Sequence, residues 1–152
     1  MNELNTQAVD KIFNQINGII TTKEALKKLQ GEYNTLTLPL LHNTALLPNI
    51  LQWYEETAPE MDTNSRDAKA LHSQCFIFIA TMLYSPSTLA GGKLSLGLRS
   101  QLSQMLHFKS PTSISNIIPN LMFLYNNYKS YKQRIDTAFD YILNKLKSQN
   151  LL

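Results

Sequence analysis

The sequence predicts an all-α protein, a compact multi-helix bundle around one central buried helix at about residues 65–84. Apolar residues make up 43% and charged residues 16% of the 152 residues, a composition typical of a globular domain. Valine occurs only once, so the β-branched enrichment expected of many strands is missing. Only five glycines and six prolines interrupt the chain, which favours helices joined by short turns.

The central helix is predicted from residues 74–84, which carry almost no polar side chains. A helix of a water-soluble domain that lacks a polar face is surrounded by other elements, so we expect Phe78 and Ile79 to be fully buried. Asn64 is the expected N-cap, and Asp67 then lies in the first turn, where a carboxylate meets the positive end of the helix dipole.

The N-terminal residues predict an antiparallel helical hairpin. Its first helix covers residues 6–17 and ends at Gly18. Thr21 and Glu24 have the spacing of a capping box, which predicts the start of the second helix.

Two prolines predict short helices after the hairpin, because proline is best tolerated in the first turn of a helix. One helix is expected after Pro39 and another from Pro48 to Thr57. We interpret residues 1–152 as a single helical domain, with a subdivision into an N-terminal part (1–62) and a part from residue 63 that begins with the central helix.

Charge is distributed unevenly along the chain. Residues 1–92 carry a net charge of −3, whereas residues 93–152 carry +6. A basic C-terminal part favours an anionic partner. The alternative is that a lysine-rich composition, which only keeps the protein in solution, produces the same uneven charge distribution.

A short helix, a turn and a longer helix follow the only Gly-Gly pair. Ser103 offers a small side chain in the first helix, Phe108 an apolar one after the turn, and Ser110 an N-cap for the second helix. This pattern resembles the helix-turn-helix motif of DNA-binding proteins over about residues 96–125. It departs from the motif at His107, where glycine is preferred, and in a turn that is longer by one residue.

The resemblance implies that exposed residues of the second helix enter the major groove of duplex DNA, while flanking lysine and arginine side chains contact phosphates. Asparagine amides pair with adenine, and serine and threonine hydroxyls bond to bases or phosphates. Pro119 is expected to kink this helix or to make it restart. The candidate DNA-binding residues are Lys93, Arg99, Lys109, Thr112, Ser113, Ser115, Asn116 and Asn120. Packing in an ordinary helical bundle produces the same pattern.

The C-terminal region carries tyrosines between basic residues. Tyr125, Tyr128 and Tyr131 recur every three residues. Two interpretations are open: the rings stack on single-stranded bases, or they pack against the core. Ser130 with Gln133 predicts a capping box that starts a last helix, which ends at about Ser148. The basic rim expected on that helix consists of Lys132, Arg134, Lys145 and Lys147.

Motifs for catalysis or metal binding are missing, so we expect no enzyme activity, no cofactor and no metal. The three histidines lie far apart in the sequence and have no second ligand at metal-binding spacing. Cys75, the single cysteine, is expected to be a buried packing residue in a cytoplasmic protein. The apolar run at residues 75–84 is about half of the ~20 residues that span a membrane, so no membrane association is expected.

These observations predict a small cytoplasmic DNA-binding protein of the helix-turn-helix type, with the role of a regulator. The N-terminal half is expected to hold a protein partner or to form a homodimer, through its acidic loop or its leucine-rich region at residues 36–51. The alternative is a helical interaction or assembly module that makes no contact with nucleic acid.

Overall fold

A computed structural model describes residues 3–58 and 65–152, with side chains from residue 5 onward. The described residues form six α-helices and two 3-10 turns and contain no strand, which confirms the all-α fold class. None of these helices is both long and apolar enough to cross a bilayer. The helices are α1 (Glu3–Leu36), α2 (Leu47–Thr57), α3 (Arg66–Tyr84), α4 (Leu96–Met105), α5 (Pro111–Asn127) and α6 (Lys129–Ser148), and the 3-10 turns are Thr44–Leu46 and Pro86–Ala90.

Contacts divide the chain into two compact units, Met1–Leu38 and Pro39–Leu152. The first unit contains α1, a single helix of 34 residues, so the predicted hairpin is wrong. Gly18 lies inside this helix, where a glycine costs only about 1 kcal/mol relative to alanine. The local cap signals at Thr21 and Glu24 do not interrupt a helix whose backbone hydrogen bonds continue on both sides of them.

The second unit is a bundle in which α3 packs against α2, α5 and α6. Residues 75–84 of α3 are all buried except Met82, and Ile79 and Phe78 are 0% and 4% exposed. Further contacts join α2 to α6 and α4 to α5. The α3 helix is therefore the central packing partner of α2, α5 and α6, and α4 joins the bundle through α5.

The N-terminus of α3 is capped by Ser65, whose hydroxyl accepts a hydrogen bond from the Ala68 backbone N–H at 3.2 Å. Asp67 lies in the first turn, as expected. The predicted cap, Asn64, lies outside the described residues.

The predicted helix after Pro39 is wrong. Residues 39–43 are not helical, and their backbone is tied instead to the C-terminal end of α3. The Leu41 N–H donates to the Leu83 carbonyl at 3.0 Å, and the Tyr84 hydroxyl donates to the Asn43 carbonyl at 2.9 Å. The α2 helix follows with Pro48 in its first turn and Thr57 as its last residue, as expected.

Two further expectations concern the C-terminal helices. The α5 helix continues through the exposed Pro119, so of the two alternatives, a kink or a restart, the restart is wrong. The α6 helix begins at Lys129 without a side-chain cap, so Ser130 and Gln133 do not form the predicted capping box. It ends at Ser148, as expected.

Candidate nucleic-acid interface

The connection between α4 and α5 closes the end of α4 with two backbone hydrogen bonds. The Phe108 N–H donates to the Ser103 carbonyl at 2.9 Å, and the His107 N–H donates to the Gln104 carbonyl at 3.3 Å. This pair of bonds defines a Schellman motif, which requires a left-handed residue after the helix. His107 is that residue, with φ of 61°. It therefore adopts the conformation that glycine, the residue preferred at this place in the helix-turn-helix motif, adopts most easily.

His107→Gly is expected to raise the free energy of unfolding by about 0.5–1 kcal/mol, because the left-handed strain of a side chain is removed at some cost in chain entropy. Urea denaturation measures the change. Gln104→Gly, a glycine placed within α4 itself, is the control and should lower stability by about 1 kcal/mol. A destabilising effect of His107→Gly would contradict the role assigned to this turn.

The α4 and α5 helices pack through small and apolar side chains. Ser103 is buried, and its hydroxyl lies 3.4 Å from the Phe108 carbonyl, to which it donates. Phe108 is half-buried against the core. The buried apolar residues of the two helices are Leu98, Leu102, Ile114, Ile118 and Leu121.

The start of α5 is capped as the sequence predicts. The Ser110 hydroxyl accepts a hydrogen bond from the Thr112 N–H at 3.2 Å, and Pro111 occupies the first helical position. Thr112, Asn116 and Asn120 are exposed. Because they are four residues apart, they lie along one face of the helix. Among the other candidates on α5, Ser113 and Ser115 are half-buried.

Three of the candidate residues line one open pocket of about 630 Å³ beside the Gly-Gly pair: Lys93, Arg99 and Ser115. The Arg99 Nη1 donates to the Ser115 hydroxyl at 2.9 Å, and the Arg99 Nε is buried and has no hydrogen-bond partner in the described part of the chain. Arg99 itself is half-buried. Lys93 is exposed at the pocket. The pocket is large enough for a phosphate group and holds two cationic side chains.

The remaining basic candidate, Lys109, lies in the turn before α5 and does not line this pocket. It is exposed and forms no ion pair with the described residues. The candidate residues therefore fall into two groups, one at the pocket and one at the start and outer face of α5.

Both groups lie in a segment of the chain whose charge pattern the sequence analysis did not recognise. Residues 68–135 contain seven lysines and arginines and no aspartate or glutamate. Division of the chain at residue 92 hid this acid-free segment, which includes most of α3 and all of α4 and α5. A sliding count of charges along the sequence finds it.

The three tyrosines at residues 125, 128 and 131 differ in their surroundings. The Tyr125 hydroxyl donates to the Asp136 carboxylate at 2.6 Å, and the Tyr131 hydroxyl donates to the Gln74 side-chain oxygen at 2.6 Å. Tyr128 is 51% exposed. Two of the three tyrosines are therefore tied to neighbouring helices, and Tyr128 presents the most accessible ring for stacking.

Two members of the expected basic rim of α6 are engaged with neighbouring side chains. The Lys132 ammonium lies 2.8 Å from the Asp136 carboxylate, and this bond holds the pKa of the carboxyl below its usual value. The Arg134 Nε donates to the Tyr54 hydroxyl at 2.9 Å. These two cations are less available to an external anion than Lys93 and Lys109.

The described residues contain no group of three side chains able to hold a metal ion. Cys75 is fully buried, and burial raises the pKa of its thiol to about 12. A thiol with so high a pKa is protonated at neutral pH and is a poor nucleophile.

No protein-family model matches the chain. Searches of curated proteins and of solved structures likewise returned no significant match.

Proposed function

We propose that this chain is a DNA-binding protein that presents the outer face of α5 to the major groove of duplex DNA. The observation that carries the proposal is the acid-free segment, residues 68–135, which includes α4, the turn and α5. A polyanion that approaches this segment meets lysine and arginine side chains without carboxylates of the same segment to repel it.

Phosphate contacts come from the pocket and from the turn. Arg99 is held by Ser115 and keeps further N–H donors on its guanidinium, so its orientation is fixed before a phosphate arrives. Lys93 adds a second positive charge at the same pocket. Lys109 supplies a separate contact at the turn, and together these cations set the position of the protein on the duplex.

Base contacts come from the polar face of α5. Asn116 is exposed in the second turn of the helix, and its amide both donates and accepts, as pairing with adenine requires. Thr112 lies one turn earlier on the same face, next to the start of the helix. The face carries no arginine or lysine, so adenine and thymine edges suit it better than guanine.

Fluorescence anisotropy with random-sequence duplex DNA across a salt series tests the phosphate contacts. Lys93→Ala and Lys109→Ala should each weaken binding to all sequences alike and make the slope of log affinity against log salt shallower by about one. Lys147→Ala, which removes an exposed charge from the last turn of α6, is the matched control and should change binding less.

Asn116→Ala tests the base contact separately. Selection from a random duplex pool gives the preferred site, and the variant should bind that site less tightly while its affinity for unselected DNA stays the same. Absence of binding at low salt, or equal effects of all the lysine variants including the control, would contradict the proposal.

The second candidate function is a helical interaction or assembly module without contact to nucleic acid. The observation that favours it is the row of exposed apolar side chains on α1. The DNA titration separates the two candidates, because an assembly module has no reason to respond to Lys93→Ala and Asn116→Ala in different ways.

A further inference from the structure

The α1 helix exposes an unusual amount of apolar surface. Ten large apolar side chains on it are between 43% and 80% exposed. Single exposed apolar residues are common on proteins, but a continuous row of them marks an interaction site. This apolar stripe consists of Val9, Ile12, Phe13, Ile16, Ile19, Ile20, Leu26, Leu29, Tyr33 and Leu36.

The spacing of the stripe is that of a coiled coil. Ile12, Ile19, Leu26 and Tyr33 recur every seven residues, as the d positions of four heptads do. The matching a positions hold Val9 and Ile16, followed by Lys23 and Gln30. Polar side chains at two a positions favour a pair of helices, in which their ends still reach water.

The length of α1 also calls for a partner. Its 34 residues span about 50 Å, and a helix in water gains most of its stability from packing of its apolar face. The stripe extends over nearly this whole length. A second long helix with a matching apolar face covers such a stripe over its whole length.

We propose that the partner is a second copy of this chain, and that two α1 helices form an antiparallel coiled coil. Half-exposed aliphatic and aromatic side chains each offer about 30–60 Å² of apolar area, so ten from each copy bury about 600–1,200 Å² together. With the polar flanks added, this area approaches the ~1,200 Å² at which specific interfaces begin.

The charges of α1 favour pairing with itself. Lys27 is the single charged residue at the e and g positions that flank the stripe, so two copies meet little repulsion between like charges. Residues 3–19 hold two carboxylates and one lysine, whereas residues 20–36 hold three lysines and two carboxylates. An antiparallel arrangement places the acidic half of each helix beside the basic half of the other, and opposes the two helix dipoles.

Sedimentation equilibrium of the full chain tests the dimer. The unmodified chain should have twice the monomer mass, and Ile16→Asp with Ile19→Asp should weaken self-association at least tenfold, because both carboxylates enter the apolar contact. Asn14→Asp, on the opposite face of α1, is the control and should leave the mass unchanged. A monomeric unmodified chain, or a dimer that the double substitution leaves intact, would overturn the proposal.

Two lysine-to-leucine substitutions, one in the stripe and one outside it, test the same surface without the risk of unfolding α1. Lys23→Leu fills an a position and should tighten the dimer at least tenfold, whereas Lys28→Leu adds the same side chain to the outer face and should not. If the two variants tighten the dimer equally, or neither does, the stripe is not the interface.

Disulfide formation tests the orientation. In the antiparallel pairing of a with d positions, Ile16 lies beside Leu26 of the second copy. A mixture of the Ile16→Cys chain and the Leu26→Cys chain should therefore cross-link between the two variants under mild oxidation. Each variant alone should remain uncross-linked, because this pairing does not place position 16 opposite position 16, or position 26 opposite position 26. The native Cys75 does not interfere, since it is fully buried. Cross-linking of each variant with itself would show a parallel arrangement and overturn the orientation.

Discussion

Phe76→Ala is expected to lower the free energy of unfolding by about 3–5 kcal/mol, the largest loss that we predict for a single substitution. The Phe76 side chain is 0% exposed in α3, and its ring centroid lies 5.4 Å from that of Tyr54 on α2. Removal of the ring forfeits apolar burial and leaves a cavity that the surrounding helices fill only in part. Urea denaturation followed by circular dichroism measures the change.

The control for this substitution is Phe123→Ala in α5. The Phe123 side chain is 59% exposed, and among the described residues its ring contacts only that of Tyr128. The same chemical change should therefore cost less than about 1 kcal/mol. Equal losses at the two positions would show that α3 is not the centre of the core.

The sequence was sufficient to predict the fold class and the α3 segment, because both depend on composition and on an apolar run that is visible without knowledge of contacts. It was misleading for α1. Gly18, Thr21 and Glu24 gave local signals for a break, each worth about 1 kcal/mol. The hairpin prediction followed these local signals, whereas the apolar heptad spacing across residues 9–36 favours one long helix.

The candidate interface also combines features that the sequence predicts with contacts that it does not predict. Exposure of Thr112, Asn116 and Asn120 follows from helical spacing alone, so it was open to prediction. The bond from Arg99 to Ser115 joins residues of two helices and depends on how α4 packs against α5. That geometry is a property of the folded bundle, and no local pattern in the sequence encodes it.

Arg134 likewise makes contacts that no local pattern predicts, and its partners lie still farther away in the sequence. Its place on α6 predicted an exposed basic residue, but its guanidinium lies over the Tyr54 ring, 5.2 Å from the ring centroid. Its Nη2 donates to the His72 Nδ1 at 2.8 Å. Burial and the positive charge of Arg134 lower the pKa of His72, which suits a neutral imidazole that accepts this hydrogen bond.

Tyr54 connects three helices through one buried hydroxyl. It donates to the His72 backbone carbonyl at 2.7 Å and accepts from the Arg134 Nε at 2.9 Å. The tyrosine is itself 0% exposed, and burial raises the pKa of its hydroxyl, which therefore stays protonated and able to donate. The hydroxyl joins α2 to α3 and to α6.

Tyr54→Phe should consequently lower the free energy of unfolding by about 2–3 kcal/mol. The His72 carbonyl loses this donor and the Arg134 Nε loses this acceptor, and a polar group deprived of its partner in a buried site costs about 1–3 kcal/mol. Tyr128→Phe, which removes a hydroxyl from an exposed tyrosine, is the matched control and should cost less than about 0.5 kcal/mol. Urea denaturation of both variants gives the comparison. If Tyr54→Phe is as mild as the control, water replaces the hydroxyl, and packing of the rings rather than this hydrogen-bonded cluster holds α2, α3 and α6 together.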